Sequence, residues 1–535
     1  MKQILAIFTK DARRFWPEIL VTLAVLVALV AIYPRQWRTP HETVGVSLGG
    51  LFSHGGLGFL AGSLVVLVPV AWWILIARVV HGERLVGNTQ FWLTRPYEWP
   101  KFIAAKLLFL AAFLYLPFFL AQCALLVEGG FQPLSYIPGL IYNLVLVTVI
   151  LVLPVTALSV VTSGFGRMTL VILGTVVFIA GMALINSLLP SDSGGGVTGP
   201  IGDSLSFGIL LSGCVAAVLV QYARRRTMVA WLLIAAVALS LSALAFVDPD
   251  QATMARRYPA PGTNDKMPAQ ITYAASAMNQ PMTNDTRDKG ELEISLPIRA
   301  SGVANGYAVI PVALKAAIEG VDGARWESPW QPVYNERYLP GVWDSTMRFR
   351  IRRSVYDRFK TSPVTLHLTF AIDEARAAGV TRISLPSGEF AIPSVGICTP
   401  QSTGFNLPPE INGITCRSPM RGPRLNYVTV HWSDAGCSAA PREADTLLGA
   451  AWTGSFDAEP AEFGIVSVWN TELNFSNNWP NFNQGSPPRP RQLCPGSPVT
   501  FTTYELAGHT QLPICIPNFR LPELAVGDVY RFLTR

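Results

Sequence analysis

The sequence predicts an α-helical polytopic membrane domain of about seven spans, followed by a mainly β, sandwich-like extracytoplasmic domain. Three observations predict this. Half of the 535 residues are hydrophobic and only 14% are charged. Long apolar runs dominate up to about Phe246, whereas from Asp248 onward the chain is polar and rich in Pro, Asn and Gly. In that second part apolar residues recur with period two, the mark of half-buried strands.

A helix needs roughly 20 mostly apolar residues to cross about 30 Å of hydrocarbon. Seven segments meet that need: about Pro17–Tyr33, Leu57–Val80, Phe102–Val127, Ile137–Val161, Met168–Leu189, Leu205–Tyr222 and Met228–Val247. The first is short and carries Glu18 at its start. It is not expected to be a cleaved signal peptide, because Tyr33-Pro34-Arg35 stands where small residues would be needed. Ahead of it, Ile4, Leu5, Ile7 and Phe8 mix with Lys2, Lys10, Arg13, Arg14 and Trp16. That mixture suits a helix lying in the headgroup plane of a lipid bilayer.

Basic residues in short loops set the orientation. With the N-terminus cytoplasmic, the inner segments and span ends hold Lys2, Lys10, Arg13, Arg14, Arg78, Arg84, Arg95, Lys101, Lys106, Arg167, Arg224, Arg225 and Arg226. The outer loops hold only Arg35 and Arg38. Seven spans then place everything after Asp248 on the outer side of a bacterial-type inner membrane. The net charge of +6 thus reflects membrane topology, and no nucleic-acid partner is expected.

The domain scheme is a transmembrane domain over 1–247, a linker or stalk over 248–288 and a β-rich outer domain over 289–535. Alternating apolar residues mark strands in "ELEISLPIR", "TMRFRIR", "PVTLHLTFAI", "LNYVTVHW", "FGIVSVWN" and "PVTFTTYEL". This domain is one elaborate sandwich or two smaller ones, divided near 400–423 where Pro, Gly and Asn cluster. Its cysteines, Cys398, Cys416, Cys437, Cys494 and Cys515, are candidate disulfide formers in an oxidising compartment. Their connectivity is open, and buried free thiols are the alternative. Cys123 and Cys214 fall inside spans and read as packing residues.

Little in the chain points to catalysis. The six histidines form no HExxH, no CxxC pair exists, and no metal site is expected. "GVSLG", Gly45 to Gly49, matches GxSxG but lies in a short loop between spans, without the strand and helix a nucleophile elbow needs. Asp373-Glu374 reads as a strand end. No GxxxxGK[ST] occurs, so the chain cannot cradle ATP by a P-loop. No catalytic residue and no cofactor are therefore assigned to it. Charges occur only near span ends, as at Glu18, Arg78, Lys106 and Glu128, which argues against an ion-coupled carrier. Gln122, Asn143, Thr156 and Ser159 are polar but neutral, and read as interhelical hydrogen-bond partners.

The most unusual stretch is "ERLVGNTQFWLTRPYEWPKFIAAKLL", Glu83 to Leu108. Pro96 cannot continue a helix and biases Arg95 away from the α region, so a short helix should break at Thr94-Arg95-Pro96. Leu85, Phe91, Trp92 and Leu93 give it an apolar side that must bury against headgroups or a protein. Glu83, Arg84, Gly87, the Leu93-Thr94-Arg95-Pro96 turn and Ala105-Lys106-Leu107 resemble a segment of ABC transporter permease subunits of the type-2 exporter class. The resemblance covers roughly Met1–Arg226 and implies a coupling helix, within 83–100, that docks on a separate ABC ATPase. ATP and Mg would bind in that partner subunit. It also implies that Lys10, Arg13, Arg14 and Trp16 lie on an interfacial elbow helix, and that a second permease copy or homologue completes the pathway.

The departure is a seventh span and a large outer domain, absent from the usual six-span permease. They suit a machine that hands substrate to an extracytoplasmic protein or polymer. The alternative is a membrane-anchored binding or assembly protein whose outer domain recognises that partner. Trp326, Trp330, Trp343, Trp432, Trp469 and Trp479 would stack on sugars in that case, or simply pack in a core.

Overall fold

The computed structural model describes residues 2–38, 56–82, 99–188, 200–244, 258, 269–275, 280–285, 290–333, 341–393, 395–403, 410–419, 425–433, 443–452, 465–474 and 495–524. Its contacts divide the chain into two units. One comprises Met1–Val176, Asp203–Ser242 and Gly379–Thr503, and the other Val177–Gly202, Ala243–Ala378 and Tyr504–Arg535.

The helices of the N-terminal half are α1 (Lys2–Arg14), α2 (Trp16–Ile32), α3 (Gly56–His81), α4 (Trp99–Leu110), α5 (Leu116–Glu128), α6 (Ile137–Val147), α7 (Leu153–Val161), α8 (Phe165–Leu188), α9 (Pro200–Arg224) and α10 (Thr227–Leu244). Among the described residues, six stretches are long and apolar enough to cross a membrane: Trp16–Arg35, Leu60–His81, Trp99–Glu128, Pro133–Val161, Leu205–Arg224 and Thr227–Leu244. The chain is a multi-pass membrane protein. The remaining expected span, Met168–Leu189, coincides with α8, of which Phe165–Gly174 forms a shorter apolar stretch.

Two of the spans share the same device. Pro117 and Pro154 lack an N–H to donate, and their rings crowd the preceding turn. Each is preceded by a π-helical segment, Ala111–Tyr115 before α5 and Thr148–Val152 before α7. The wider turn relieves the crowding within a continuous helix. Tyr115 Oη and Thr148 Oγ1 are 2.8 Å apart, which ties the two wide turns together. Thr156, expected as an interhelical partner, donates instead to the Val152 carbonyl of its own span, whereas Ser159 Oγ reaches both the Val155 carbonyl of its own helix and, at 3.2 Å, Met168 Sδ on α8.

Helix packing follows the apolar periodicity. On α2 the buried face is Ile19, Thr22, Leu26 and Leu29, at helical spacing. Trp72 and Phe118 meet edge to face at 5.0 Å in the same core. Val27, Leu120, Leu170, Leu232 and Leu239 point outward, as side chains facing hydrocarbon do. Gly213 lets α10 approach α9 closely, since a Cβ there would collide with Val237.

The C-terminal half is mainly β. Its strands are β1 (Gln270–Tyr273), β2 (Met282–Asp285), β3 (Glu291–Val303), β4 (Tyr307–Gly320), β5 (Arg325–Glu327), β6 (Gln331–Pro332), β7 (Gly341–Arg352), β8 (Val364–Ser384), β9 (Phe390–Ile392), β10 (Gly396–Thr403), β11 (Glu410–Pro419), β12 (Leu425–Ser433), β13 (Glu443–Trp452), β14 (Val468–Asn474) and β15 (Pro498–Phe519). A short helix, α11 (Arg353–Phe359), follows β7. One four-stranded sheet orders β1-β3-β2, with β7 on β3; a second orders β14-β11-β10-β9. A seven-stranded sheet orders β13-β12-β15-β8-β4-β5, with β6 on β4.

Two apolar cores result. Leu292, Ile294, Met347, Phe349, Leu366, Phe370 and Ile516 form one, in the unit holding 243–378. Ile414, Val428, Val430, Trp432, Val499 and Phe501 form the other, in the unit holding the helices. The contacts thus draw their division at Gly379 and Thr503, inside the long strands β8 and β15. The stretch expected as a linker, 248–288, holds β1 and β2, so the sheet starts earlier than the expected boundary at 289. A four-residue strand carries too few alternations to stand out from its Pro-, Asn- and Thr-rich surroundings.

Cys398 and Cys416 face each other across β10 and β11 and are joined by a disulfide. Cys515 is a free and exposed thiol on β15. Cys437 and Cys494 lie outside the described residues. Of the span cysteines, Cys214 is buried and Cys123 half-buried.

The disulfide closes a loop of sequence separation 18, for which chain entropy gives about 3 kcal/mol. Replacing Cys416 by Ala should therefore lower the stability of the sheet by roughly that amount. Thermal unfolding of the purified chain in detergent, with and without reductant, checks it: the natural chain should respond to reductant and the variant should not.

Candidate functional site

The expected coupling residues Glu83, Arg84, Gly87, Phe91, Trp92, Leu93, Thr94, Arg95 and Pro96 lie outside the described residues. The structure describes the base from which that loop springs. α3 delivers the chain to His81 and Gly82, and α4 takes it up again at Trp99. Gly82 sits against Phe15, so closely that an added Cβ would lie 2.9 Å from the ring. Phe15 packs in turn with Ile19, Leu75, Val79 and Phe109. His81 Nε2 and Thr162 Oγ1 are hydrogen-bonded at 2.9 Å, which ties the end of α3 to the end of α7.

The N-terminal helix completes this base. α1 exposes Lys10, Arg13 and Arg14, while Trp16 opens α2 and is also exposed. These are the residues expected on an interfacial helix. Phe8 on the opposite side stacks on Phe113 at 5.6 Å and meets Phe109 edge-on at 6.5 Å.

At the centre of the base lies Lys106, a basic residue near a span end. It lies about 10 Å into the helix that starts at Trp99, at 1.5 Å per residue, and is buried. Its Nζ donates to Asp11 Oδ2 at 2.7 Å and to the Val79 carbonyl at 3.2 Å. Asp11 is 2% exposed. A lone buried charge is costly, so each residue requires the other. The pair joins α1, α3 and α4 at one point. Closer to solvent, Arg78 pairs with Glu18 at 3.1 Å, on α3 and α2.

The two poles of the helix bundle differ. One carries Arg78, the Lys106 pair and the Arg224–Arg226 turn between α9 and α10, where Arg225 adopts a positive φ of 53°. The other carries Trp37, Phe131 and Tyr136, which pack with Leu126 and Val468. Val468 therefore meets the bundle at the pole opposite the basic residues.

A second polar cluster lies in the other unit and was missed from sequence. His509 on β15 donates from Nδ1 to Asp373 Oδ1 at 2.8 Å, and its ring packs edge-on against Tyr258. Asp373 is buried, and Trp330 beside Tyr258 has a buried indole N–H with no partner among the described residues. The adjacency of β8 and β15 makes this pair, and sequence cannot supply that adjacency. The only sequence signal is the polar Asp373-Glu374 that breaks the apolar alternation of "LHLTFAI". No nucleophile accompanies the pair among the contacts described, and no group of metal ligands occurs among the described residues. His367 and His431 sit on exposed faces of β8 and β12.

No family model matches the chain, and no curated protein matches it in sequence.

Two outcomes are expected. Lys106→Met alone strands Asp11 and should cost about 3–5 kcal/mol, whereas Asp11→Leu with Lys106→Met should recover most of it. Thermal unfolding of the full chain measures both, and equal instability of single and double variants would show that the pair is not coupled. Burial raises the Glu374 carboxyl above its ordinary 4.5, against the opposing field of His509. A raised acid contributes stability fully below 4.5 and loses it as pH rises through the folded value. The unfolding temperature of the natural chain should therefore fall, relative to Glu374→Gln, as pH increases from 4 towards neutrality, as about 4–7 in the measurement.

Proposed function

We propose that this chain is the membrane-spanning permease subunit of an ATP-driven ABC transporter of the type-2 exporter class, in a bacterial-type cell membrane. A separate ATPase docks on the 83–100 loop and supplies the energy, and a second permease copy or homologue pairs with this one. The observation that carries the reading is the base of that loop. A force applied between Gly82 and Trp99 meets α1, α3 and α4, which the Asp11–Lys106 pair and the Val79 carbonyl hold as one body. A loop built only to connect two spans needs no such buried ionic tie.

The poles support the orientation. Basic residues gather where α3 ends and α4 begins, which suits a cytoplasmic face. Val468 of the β region packs at the opposite pole, which suits an extracytoplasmic one. Packing between that β region and the spans favours a working part of the transporter over a domain merely carried by an anchor.

The test is co-purification. A P-loop ATPase should be recovered with the full-length chain from detergent-solubilised membranes. Glu83→Ala with Arg95→Ala should reduce its recovery several-fold at unchanged level of the chain. Equal recovery would sink the coupling role, and binding of an extracytoplasmic protein or polymer with no ATPase would favour the anchored-binder alternative.

A further inference from the structure

The residues that lead into β14 enter the membrane domain. Ile465 and Val466 are 2% and 1% exposed and share a core with Leu26, Phe118 and Leu125 of α2 and α5. Val468 packs with Leu126 and Leu140, on α5 and α6. Gln122 Nε2 donates to the Ile465 carbonyl at 2.5 Å. Ser467 Oγ donates back to the Gln122 carbonyl at 2.9 Å. Gln122 lies about 9 Å inside the α5 terminus at Glu128, at 1.5 Å per residue. Non-helical backbone survives at such depth only where protein satisfies its polar groups. Gln122 meets that need for this segment.

The attachment has the character of a catch. Apolar contacts and two hydrogen bonds with Gln122 hold Ile465–Ser467, and only Val468, at the end of the segment, joins the β14–β11 ladder. Asn143 reaches Gln122 Oε1 at 3.5 Å, and its own Oδ1 is fully buried with no partner among the described residues. Below it the same two spans carry their wide π turns, joined by Tyr115 and Thr148. Such turns recur where helices rearrange in function.

We propose that Ile465–Val468 is a latch that closes the seam between α5 and α6, and that this seam admits water when the latch withdraws. The idea rests on the permease reading only for what would pass through the opened seam. In the latched state Gln122 is spent on Ile465; in the released state Gln122 and Asn143 line the opening and bond to water or cargo.

Thiol accessibility tests it. Leu140→Cys in the full-length chain places a reporter beneath Val468, and the chain without that substitution gives the background of native thiols. A membrane-impermeant maleimide is applied to intact cells and to everted vesicles, so either face is sampled. With the latch intact the reporter should be protected in both. Gln122→Met with Ser467→Ala should speed its reaction roughly fivefold for each hydrogen bond removed, in one preparation only. Retention of the Cys398–Cys416 disulfide, read on non-reducing gels, shows that the sheet still folds. Should the double variant lose it, Ser467→Ala alone carries the test, with a roughly fivefold rise. Rapid labelling with the latch intact overturns the proposal, as does unchanged protection in the folded release variants. No ATPase takes part, so failure here leaves the permease reading standing, and absence of an ATPase partner leaves the latch standing.

Discussion

The membrane domain depends on one buried ion pair, Asp11–Lys106. Its charges lie where water cannot stabilise them, and each remains only because the other is 2.7 Å away. The Val79 carbonyl takes a second proton of the ammonium, so α3 is bound into the same knot. An apolar contact alone would let α1 slide along α4. A buried ion pair does not, because a shift of a few ångströms leaves two bare charges. α1 is thereby held in one register against α4. Phe15 is fixed with it, and so is the snug seat of Gly82 from which the loop departs.

The same economy governs the rest of the bundle. In hydrocarbon each polar group needs a protein partner. Thr156 and Ser159 solve this locally by bonding to their own helix. Pro117 and Pro154 leave carbonyls without donors, and the π turns absorb the mismatch without breaking the spans. Gln122 and Asn143 find partners beyond their own helices. They look across to each other and to Ile465, and thus draw a distant part of the chain into the bundle.

What sequence could show followed from period and charge. Runs such as Leu57–Val80 or Ile137–Val161 are long enough to declare themselves, and "PVTLHLTFAI" alternates too regularly to be anything but a strand. The mixed character of α1 was also legible, since Lys10, Arg13 and Arg14 stand apart from Ile4, Ile7 and Phe8. The partner of Lys106 was not legible, because Asp11 is 95 residues earlier and a lysine near a span end looks the same whether it snorkels or pairs. His509 and Asp373 were invisible for a related reason. Their meeting depends on β15 lying beside β8, and sheet order of that kind is a property of the whole fold. β1 was too short to betray itself. The free state of Cys515 was illegible because thiol pairing depends on cross-strand register, which placed Cys398 opposite Cys416 and left Cys515 on an exposed face.

The grouping of residues 379–503 with the helices bears on how energy could travel through such a protein. Suppose the spans were an anchor. The β region would then need only a tether, and a buried contact at Gln122 would serve no purpose. Suppose instead that a force enters at the basic pole. α5 continues from α4 through a π turn, so a tilt of α4 is passed towards Gln122 with a change of direction at Ala111–Tyr115. Gln122 holds Ile465, Ile465 leads into β14, and β14 is zipped to β11 from Pro419 to Gly413. β11 is stapled to β10 by the disulfide, which stops the sheet from shearing under load. Between spans and sheet that series is joined by the hydrogen bonds of Gln122 with Ile465 and Ser467 and by the apolar contacts of Ile465, Val466 and Val468.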